Sequence, residues 1–345
     1  MASEIVPLKV GLYGCGARTN ALVDSVIKDG IIKIVSCYDI SKERREETAL
    51  KYNAVAVESP EKLIENEEVE AFIISLPPKL HAKVAMEVAE AGKPIFLEKP
   101  IATKLEDGRK LVEKIKKKNI VCHVGLAYRY VPVFQKVTEL IKSGQTGQVI
   151  GVQYDWICWI GTLYDLIYNG KNWRGDPETG GQIVYHMCHL FDILRVWNGE
   201  ITSVTAVSNH LIFPKSTTDN EIFIILEHQN GAISGIHFSE VCKHCTGFGR
   251  IDGSKSTVEF EWKDNSYIKI YREARRKGKR KPDEIETGIK PDVMNDEIMR
   301  DFVKEVRREK AVEVGIEDGF IPLKIAFAVK ESIIKGRKVY LKEIE

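Results

Sequence analysis

The chain has almost no net charge: 51 Lys and Arg against 50 Asp and Glu leave +1 over 345 residues. A balance that close gives no whole-molecule field to draw in nucleic acid or a membrane surface. No run of about 18 apolar residues occurs, so no membrane span is expected. The opening MASEIVPLK lacks a basic stretch followed by an apolar core, so it does not read as a secretory signal. Seven cysteines, an odd number at irregular spacing, do not make a disulfide framework. Cys37, Cys122 and Cys158 sit inside apolar strands, as reduced thiols of a cytoplasmic protein do. There is no internal repeat and no low-complexity linker. Hydrophobic residues make up 43% of the chain, enough for two packed domains.

The most informative stretch is VGLYGCGART, residues 10–19. Leu8, Val10 and Leu12 form an apolar run that ends in Gly14, Cys15 and Gly16, with Thr19 three residues further on. A buried strand turning through glycines into a helix is how a dinucleotide site opens. Gly14 permits the tight turn, and Gly16 lets a pyrophosphate approach the backbone. The helix that follows, beginning at Ala17 and Arg18, aims its N–H groups and positive dipole end at the phosphates. Thr19 departs from the pattern, which has Gly or Ala there. Residues 31–39, IIKIVSCYD, read as a second strand ending in Asp39, twenty residues beyond Thr19. A carboxylate there accepts hydrogen bonds from the ribose hydroxyls of NAD and repels the 2′-phosphate of NADP. Ser41, Lys42, Arg44 and Arg45 follow at once and soften that preference. The other reading of Asp39 is an N-cap for the helix at 41–51.

Strand candidates at 8–13, 32–37, 54–57, 70–75, 94–97 and 120–125 alternate with helices, clearest at 79–91 and 104–117. That alternation predicts a parallel sheet covered on both faces over residues 1–126. The character changes over 127–345. A helix at 133–143 and a strand at 147–158 lead into an irregular loop at 161–180, then a helix at 181–197. Strands follow at 200–212, 220–228, 231–240 and 248–261, with Asn230-Gly231 marking a hairpin, and then at 267–271. This is an antiparallel sheet, followed by helices from 292 on that include one at 317–335. The basic run Arg275 to Lys281 has no aromatic or helical recognition element beside it and reads as a solvated loop.

Residues 72–100 end two strands at Ser75-Leu76-Pro77-Pro78 and Glu98-Lys99-Pro100, with His81 near a helix start. Ligands of open α/β sheets bind beyond the carboxyl ends of strands, so both segments point at one crevice. Lys99 precedes a proline, which fixes an extended backbone and the direction of its ammonium. Such a donor polarises a hydroxyl or carbonyl oxygen. The alternative is a surface lysine paired with Glu98. In the predicted 181–197 helix, Tyr185, His189 and Asp192 at i, i+4 and i+7 share one face. His189 is either a proton acceptor or a histidine hydrogen-bonded under the sheet. His186 with Cys188 and His189, and Cys242 with Cys245, lack the partners of a four-ligand metal site, and no metal is expected. Tyr154, Trp156, Trp159, Tyr164, Tyr168 and Trp173 suit stacking on a sugar ring or packing a core or subunit interface.

The glycine turn, the Pro-Pro-x-x-His stretch, Glu98-Lys99-Pro100, Tyr128-Arg129-Tyr130 with Pro132, Trp173-Arg174-Gly175, Gly180-Gly181 and His189-x-x-Asp192 resemble the Gfo/Idh/MocA family of oxidoreductases. The resemblance covers nearly the whole chain. It implies an α/β protein: an N-terminal Rossmann parallel sheet, then a C-terminal α/β domain with a large, mostly antiparallel open sheet. The last helices of such a chain pack back on the first domain. The resemblance implies NAD held by Gly14, Gly16, Ala17, Arg18, Thr19 and Asp39, with Ser75, Pro77, His81, Glu98, Lys99 and Arg129 completing the cofactor site. It assigns Lys99, Tyr128, Trp173, Arg174, Tyr185, His186 and His189 to the substrate, with Lys99, His189 and Tyr185 catalytic. Many relatives carry an aspartate where this chain has Tyr185.

The expected activity is hydride transfer between a nicotinamide and a secondary alcohol or ketone carbon of a sugar, inositol or related polyol. A redox-neutral NAD-dependent glycosidase or epimerase and a non-catalytic nucleotide sensor are the alternatives. Association as a homodimer or homotetramer through the C-terminal sheet is implied, with neither nucleic acid nor membrane as a partner.

Overall fold

The computed structural model describes residues 6–160, 173, 177–179, 181–212, 219–263, 266–272, 281–287 and 294–345. Arg174, Gly175, Gly180, Tyr164, Tyr168 and nearly all of the basic run lie outside them. The chain divides into two compact units, Met1–Ala127 with Met294–Leu323, and Tyr128–Val293 with Lys324–Glu345.

In the first unit strand and helix alternate: β1 (Leu8–Tyr13), α1 (Ala17–Lys28), β2 (Ile32–Tyr38), α2 (Lys42–Tyr52), β3 (Val55–Ala56), α3 (Pro60–Ile64), β4 (Ala71–Ile74), α4 (His81–Glu90), β5 (Ile95–Leu97), α5 (Leu105–Lys118) and β6 (Cys122–Val124). The six strands form one parallel sheet in the order β3-β2-β1-β4-β5-β6. All residues of β4, β5 and β6 are buried, as strands covered on both faces must be. The order reverses between β1 and β4, so the crevice of a doubly wound sheet opens beyond their carboxyl ends. Those ends carry Gly14 and Ser75.

The second unit contains α6 (Pro132–Lys142), β7 (Val149–Trp159), α7 (Gly181–Tyr185), α8 (Cys188–Asn198), β8 (Ile201–Asn209), β9 (Glu221–His228), β10 (Ile233–Ser239), β11 (Val241–Gly253), β12 (Thr257–Glu261), β13 (Tyr267–Tyr271) and β14 (Glu284–Thr287). The chain ends with α9 (Met294–Val306), α10 (Ile316–Lys335) and β15 (Val339–Tyr340). Nine strands pair in the order β14-β13-β12-β11-β7-β10-β9-β8-β15, all antiparallel except β10 beside β7. Phe134 of α6 and Trp197 of α8 close one face through edge contacts, 5.5 Å from each other, with Phe134 5.8 Å from Phe260 and 6.1 Å from Tyr154. The opposite face leaves Val207, Phe223, Ile225 and Ile233 more than half exposed. Val207, Phe223 and Ile225 border a depression of about 500 Å³.

Three local expectations need correction. The helix expected at 181–197 is two helices, because the Met187 N–H reaches back five residues to the Gln182 carbonyl (3.0 Å) instead of four. Tyr185 therefore ends one helix while His189 and Asp192 sit on the next, and the three do not share one helical face. The strand expected at 248–261 is a hairpin of β11 and β12, turned at 254–256 with the Gly253 N–H donating to the Ser256 carbonyl. A further edge strand, β14, was not foreseen.

Candidate active site

Gly14 stands at φ +102°, a conformation open to glycine, and a Cβ there would lie 2.2 Å from the Ser75 carbonyl oxygen. Strands β1 and β4 thus close on each other at this residue. Gly16 is the N-cap of α1, with no side chain capping the helix, no acid in its first turn and open space where a Cβ would stand. The amides of Ala17, Arg18 and Thr19 begin this helix, where an anion is favoured. Thr19, the departure from the glycine pattern, is fully buried and its hydroxyl donates to the Gly14 carbonyl (2.8 Å), closing the turn from inside.

Asp39 at the end of β2 is buried. Its Oδ2 accepts the Cys15 N–H (3.0 Å), while Oδ1 accepts the Ser41 N–H (2.8 Å) and pairs with Arg44 (3.0 Å). The acid therefore ties the glycine turn to β2, and Arg44 lies directly against it. These features fit a dinucleotide: an uncapped helix start, a glycine cradle with room beside it, and an acid whose Oδ2 meets a single donor among the described residues.

Arg18 points along the crevice rather than into the turn. Its Nε donates to Glu98 Oε1 (2.5 Å) and its Nη1 to Asn295 (2.9 Å). Glu98 is buried, accepts the Lys99 N–H (3.1 Å) and leaves so little room that a Cβ on Gly125 would lie 3.2 Å from its carboxylate. Lys99 is half-buried and precedes a cis proline, Pro100. His81 is 1% exposed, with Nδ1 2.7 Å from the Pro100 carbonyl and Nε2 2.8 Å from the Leu76 carbonyl. Burial holds its imidazole below the usual histidine range. A neutral ring donates to one of those carbonyls only. His81 therefore sits between the Leu76 and Pro100 carbonyls and bonds one of them through its single N–H. Ser75 and Pro77 remain half-buried at the end of β4.

In the second unit His189 is buried on the first turn of α8, its ring stacked on Tyr128 with centroids 4.6 Å apart and planes 12° from parallel. The next residue, Arg129, grips Asp192 of the same helix through two bonds, Nε to Oδ2 at 2.8 Å and Nη2 to Oδ1 at 2.6 Å. Arg129 was expected at the cofactor, and the Asp192 carboxylate holds its guanidinium. Tyr185 packs edge-on against Trp173, 5.1 Å between centroids. His186 lies 4.2 Å from Trp156, which stacks on Phe238 at 4.7 Å. The Arg129–Asp192 clamp and the buried carboxyl of Glu240 beside Cys158 were missed from sequence. The only hint of Glu240 is its place in step with the inward-facing Ile236 and Phe238. No group of three or more His, Cys, Asp or Glu among the described residues is placed to hold a metal.

Residues 8–126 match the oxidoreductase family with the NAD-binding Rossmann fold, and residues 138–341 match its C-terminal α/β domain. The chain is 23% identical to a myo-inositol 2-dehydrogenase from Thermotoga maritima, over 98% of this chain and 99% of that protein. It is 24% identical to a 2,7-anhydro-N-acetylneuraminate hydratase from Escherichia coli, over 75% of this chain and 69% of that one. A levoglucosan dehydrogenase solved in complex with NADH superposes with a TM-score of 0.85 at 22% identity, covering 97% of this chain and 99% of that one. With the glycine cradle, the acid at the end of β2 and both domains matched, the chain belongs to the Gfo/Idh/MocA family of NAD-binding oxidoreductases.

Proposed function

We propose that this protein is an NAD-dependent dehydrogenase that oxidises a secondary alcohol of a sugar, inositol or related polyol. The observation that carries the reading is His189, a buried imidazole stacked on Tyr128 and carried by a helix that Arg129 clamps at Asp192. An imidazole held this way is a positioned proton acceptor. Relatives named for inositol and levoglucosan oxidation support the substrate class.

Bound nicotinamide supplies the hydride acceptor. The uncapped start of α1 at Gly16 to Thr19 would hold the phosphates, and Asp39 would accept from the ribose. In the proposed reaction His189 takes the proton of the substrate hydroxyl while hydride leaves the carbon that bears it. Lys99, half-buried just beyond the end of β5, is assigned as a hydrogen-bond donor to a substrate oxygen. Glu98, engaged by Arg18 and by the Lys99 amide, positions that lysine, and His81 sits between the two segments around it. Tyr185, with Trp173 and His186, is assigned to substrate contact. A phenol there donates a hydrogen bond but supplies no fixed negative charge, unlike the aspartate of many relatives. Seven free thiols fit a reducing, cytoplasmic setting. A second copy is the proposed occupant of the apolar outer face of the nine-stranded sheet, giving a homodimer or homotetramer.

The test is a panel of sugars and polyols incubated with NAD or NADP. Both the near-ultraviolet absorbance of reduced nicotinamide and the sugar products are followed. Reduced nicotinamide with one substrate class is the expected result. An altered sugar without reduced nicotinamide would replace the dehydrogenase by a redox-neutral enzyme, the kind of outcome the hydratase relative brings to mind.

A further inference from the structure

Glu240 stands at the bend between β10 and β11, where the chain crosses the end of β7. Its backbone is pinned on both sides: its N–H donates to the Asn220 carbonyl (2.9 Å), and its carbonyl accepts the Ile160 N–H (3.1 Å). The residue is 2% exposed, and its Oε2 has no hydrogen-bond partner among the described residues. Burying a carboxyl oxygen with nothing to bond is costly, and a native protein seldom leaves one so without a use.

The surroundings indicate the use. The parallel register sets Phe238 beside Trp156 and Ser239 beside Ile157, so the next step brings Glu240 alongside Cys158. Burial and the neighbouring Glu240 carboxyl push the Cys158 thiol up to about 12. Trp156 and Phe238 stack on each other, His186 lies against Trp156, and the Tyr128 hydroxyl lies beside the Trp156 indole. The Tyr128 ring face carries His189. Lys263 is engaged elsewhere, with Nζ 4.5 Å from the centre of the Trp156 ring and donating to the Ile157 carbonyl at 3.1 Å. Burial alone pushes the Glu240 carboxyl up to about 8. At neutral pH it is therefore largely an acid, with one O–H to donate and a carbonyl to accept. A hydroxyl also donates and accepts, so it can match both functions of this acid.

We infer that Glu240 is a substrate-binding residue that holds a polyol hydroxyl away from the reacting carbon, and so selects which polyol the site accepts. This rests on the polyol-dehydrogenase reading above, with the reacting carbon at His189.

Wild type, E240Q and E240L are saturated with NAD, and their thermal midpoints are compared with and without myo-inositol, D-glucose or levoglucosan. NADH titration of each variant reports an intact cofactor site, and steady-state kinetics are measured for every polyol turned over. The expected result is a polyol-dependent rise in midpoint in wild type that is lost in E240L, with NADH affinity unchanged. KM should rise about tenfold in E240L while kcat stays within about threefold. E240Q retains part of the response, because an amide also donates and accepts. Equal shifts and equal KM in all three proteins would make Glu240 structural and leave the dehydrogenase reading standing. If none of the three polyols shifts or reacts with wild type although NADH binds, both readings fall. Should E240L fail to bind NADH, the KM of E240Q decides: an increase supports the inference and an unchanged value overturns it.

Discussion

The ring of Tyr128 lies flat on the ring of His189, 4.6 Å between centroids. Its chain neighbour Arg129 holds Asp192, three residues along the same helix, through two hydrogen bonds. Two consecutive residues thus set both the tilt of the imidazole and the position of the helix that carries it. Truncating Tyr128 frees the imidazole without removing it. We expect Tyr128→Leu to lower kcat/KM about tenfold, the scale of a lost aromatic pair, and Tyr128→Phe to keep wild-type values within about twofold. Steady-state kinetics with the best polyol check this, and equal losses in the two variants would move the role to the hydroxyl.

The clamp also bears on stability. Asp192 is fully buried and meets Arg129 at 2.6 Å, with Arg195 3.6 Å away. Asp192→Ala leaves the Arg129 guanidinium desolvated and without its carboxylate, so a loss of about 3–5 kcal/mol is expected. Urea unfolding of wild type and variant measures it, and a change within error would show that Arg129 finds another partner.

The two glycines of the turn separate folding from cofactor binding. Gly14→Ala forces an L residue to φ +102° with its Cβ 2.2 Å from the Ser75 oxygen, so both the thermal midpoint and NADH affinity should fall. Gly16 has φ −87° and open space where a Cβ would stand. Gly16→Ala should therefore keep the midpoint and weaken NADH binding, because only a bound pyrophosphate would meet the new methyl. Differential scanning fluorimetry and NADH fluorescence titration distinguish the two cases.

Acid should loosen the fold through two buried histidines. Burial lowers the folded-state pKa of His81 and of His228, whose ring faces the Gly199 carbonyl and the Ser234 hydroxyl. Below the unfolded value of about 6.5 the unfolded chain binds more protons than the folded one, so stability rises with pH in that window. The contribution is complete above about 6.5 and is lost as pH falls through the folded values. Urea unfolding between pH 5 and 8 should show that slope, and His228→Gln should flatten part of it. An equal slope in the variant would assign the effect to other groups.

The outer face of the nine-stranded sheet gives a test of assembly. Phe223 and Ile225 are each 51% exposed on β9, beside Val207 of β8 and Ile233 of β10. If a second copy covers this face, Ile225→Arg should reduce the mass measured by light scattering at micromolar concentration without lowering NADH affinity. An unchanged mass would locate the contact elsewhere.

Much of the first unit was legible because its signals are local. Short apolar strands alternating with amphipathic helices, Gly14 and Gly16 closing the first strand, and Asp39 ending the second lie within one βαβ stretch, and each acts on its immediate neighbours. The hairpin at Asn230-Gly231 was equally local, with Gly231 at φ +86°. The break after Tyr185 was not legible, since apolar spacing runs through it and only the bond from Met187 to Gln182 reveals the extra residue. Nor was the split of 248–261, where apolar alternation alone does not mark the turn.

The sequence by itself determined the fold class and supplied the candidate site residues: the glycine turn, Asp39, Lys99 and His189 stand in its motifs. The tertiary structure alone decided which groups hold one another. His123 meets Glu305 at 2.8 Å across 182 residues of chain, with both side chains fully buried, and Arg129 reaches Asp192 across 63. Periodicity reports which face of an element is apolar, but partners so distant in sequence are chosen by how sheets and helices close on one another. The same closure leaves Glu240 under the end of β7 with an unpaired oxygen, because the crossing over β7 buries a carboxyl that the sequence shows only as an acid at a strand end.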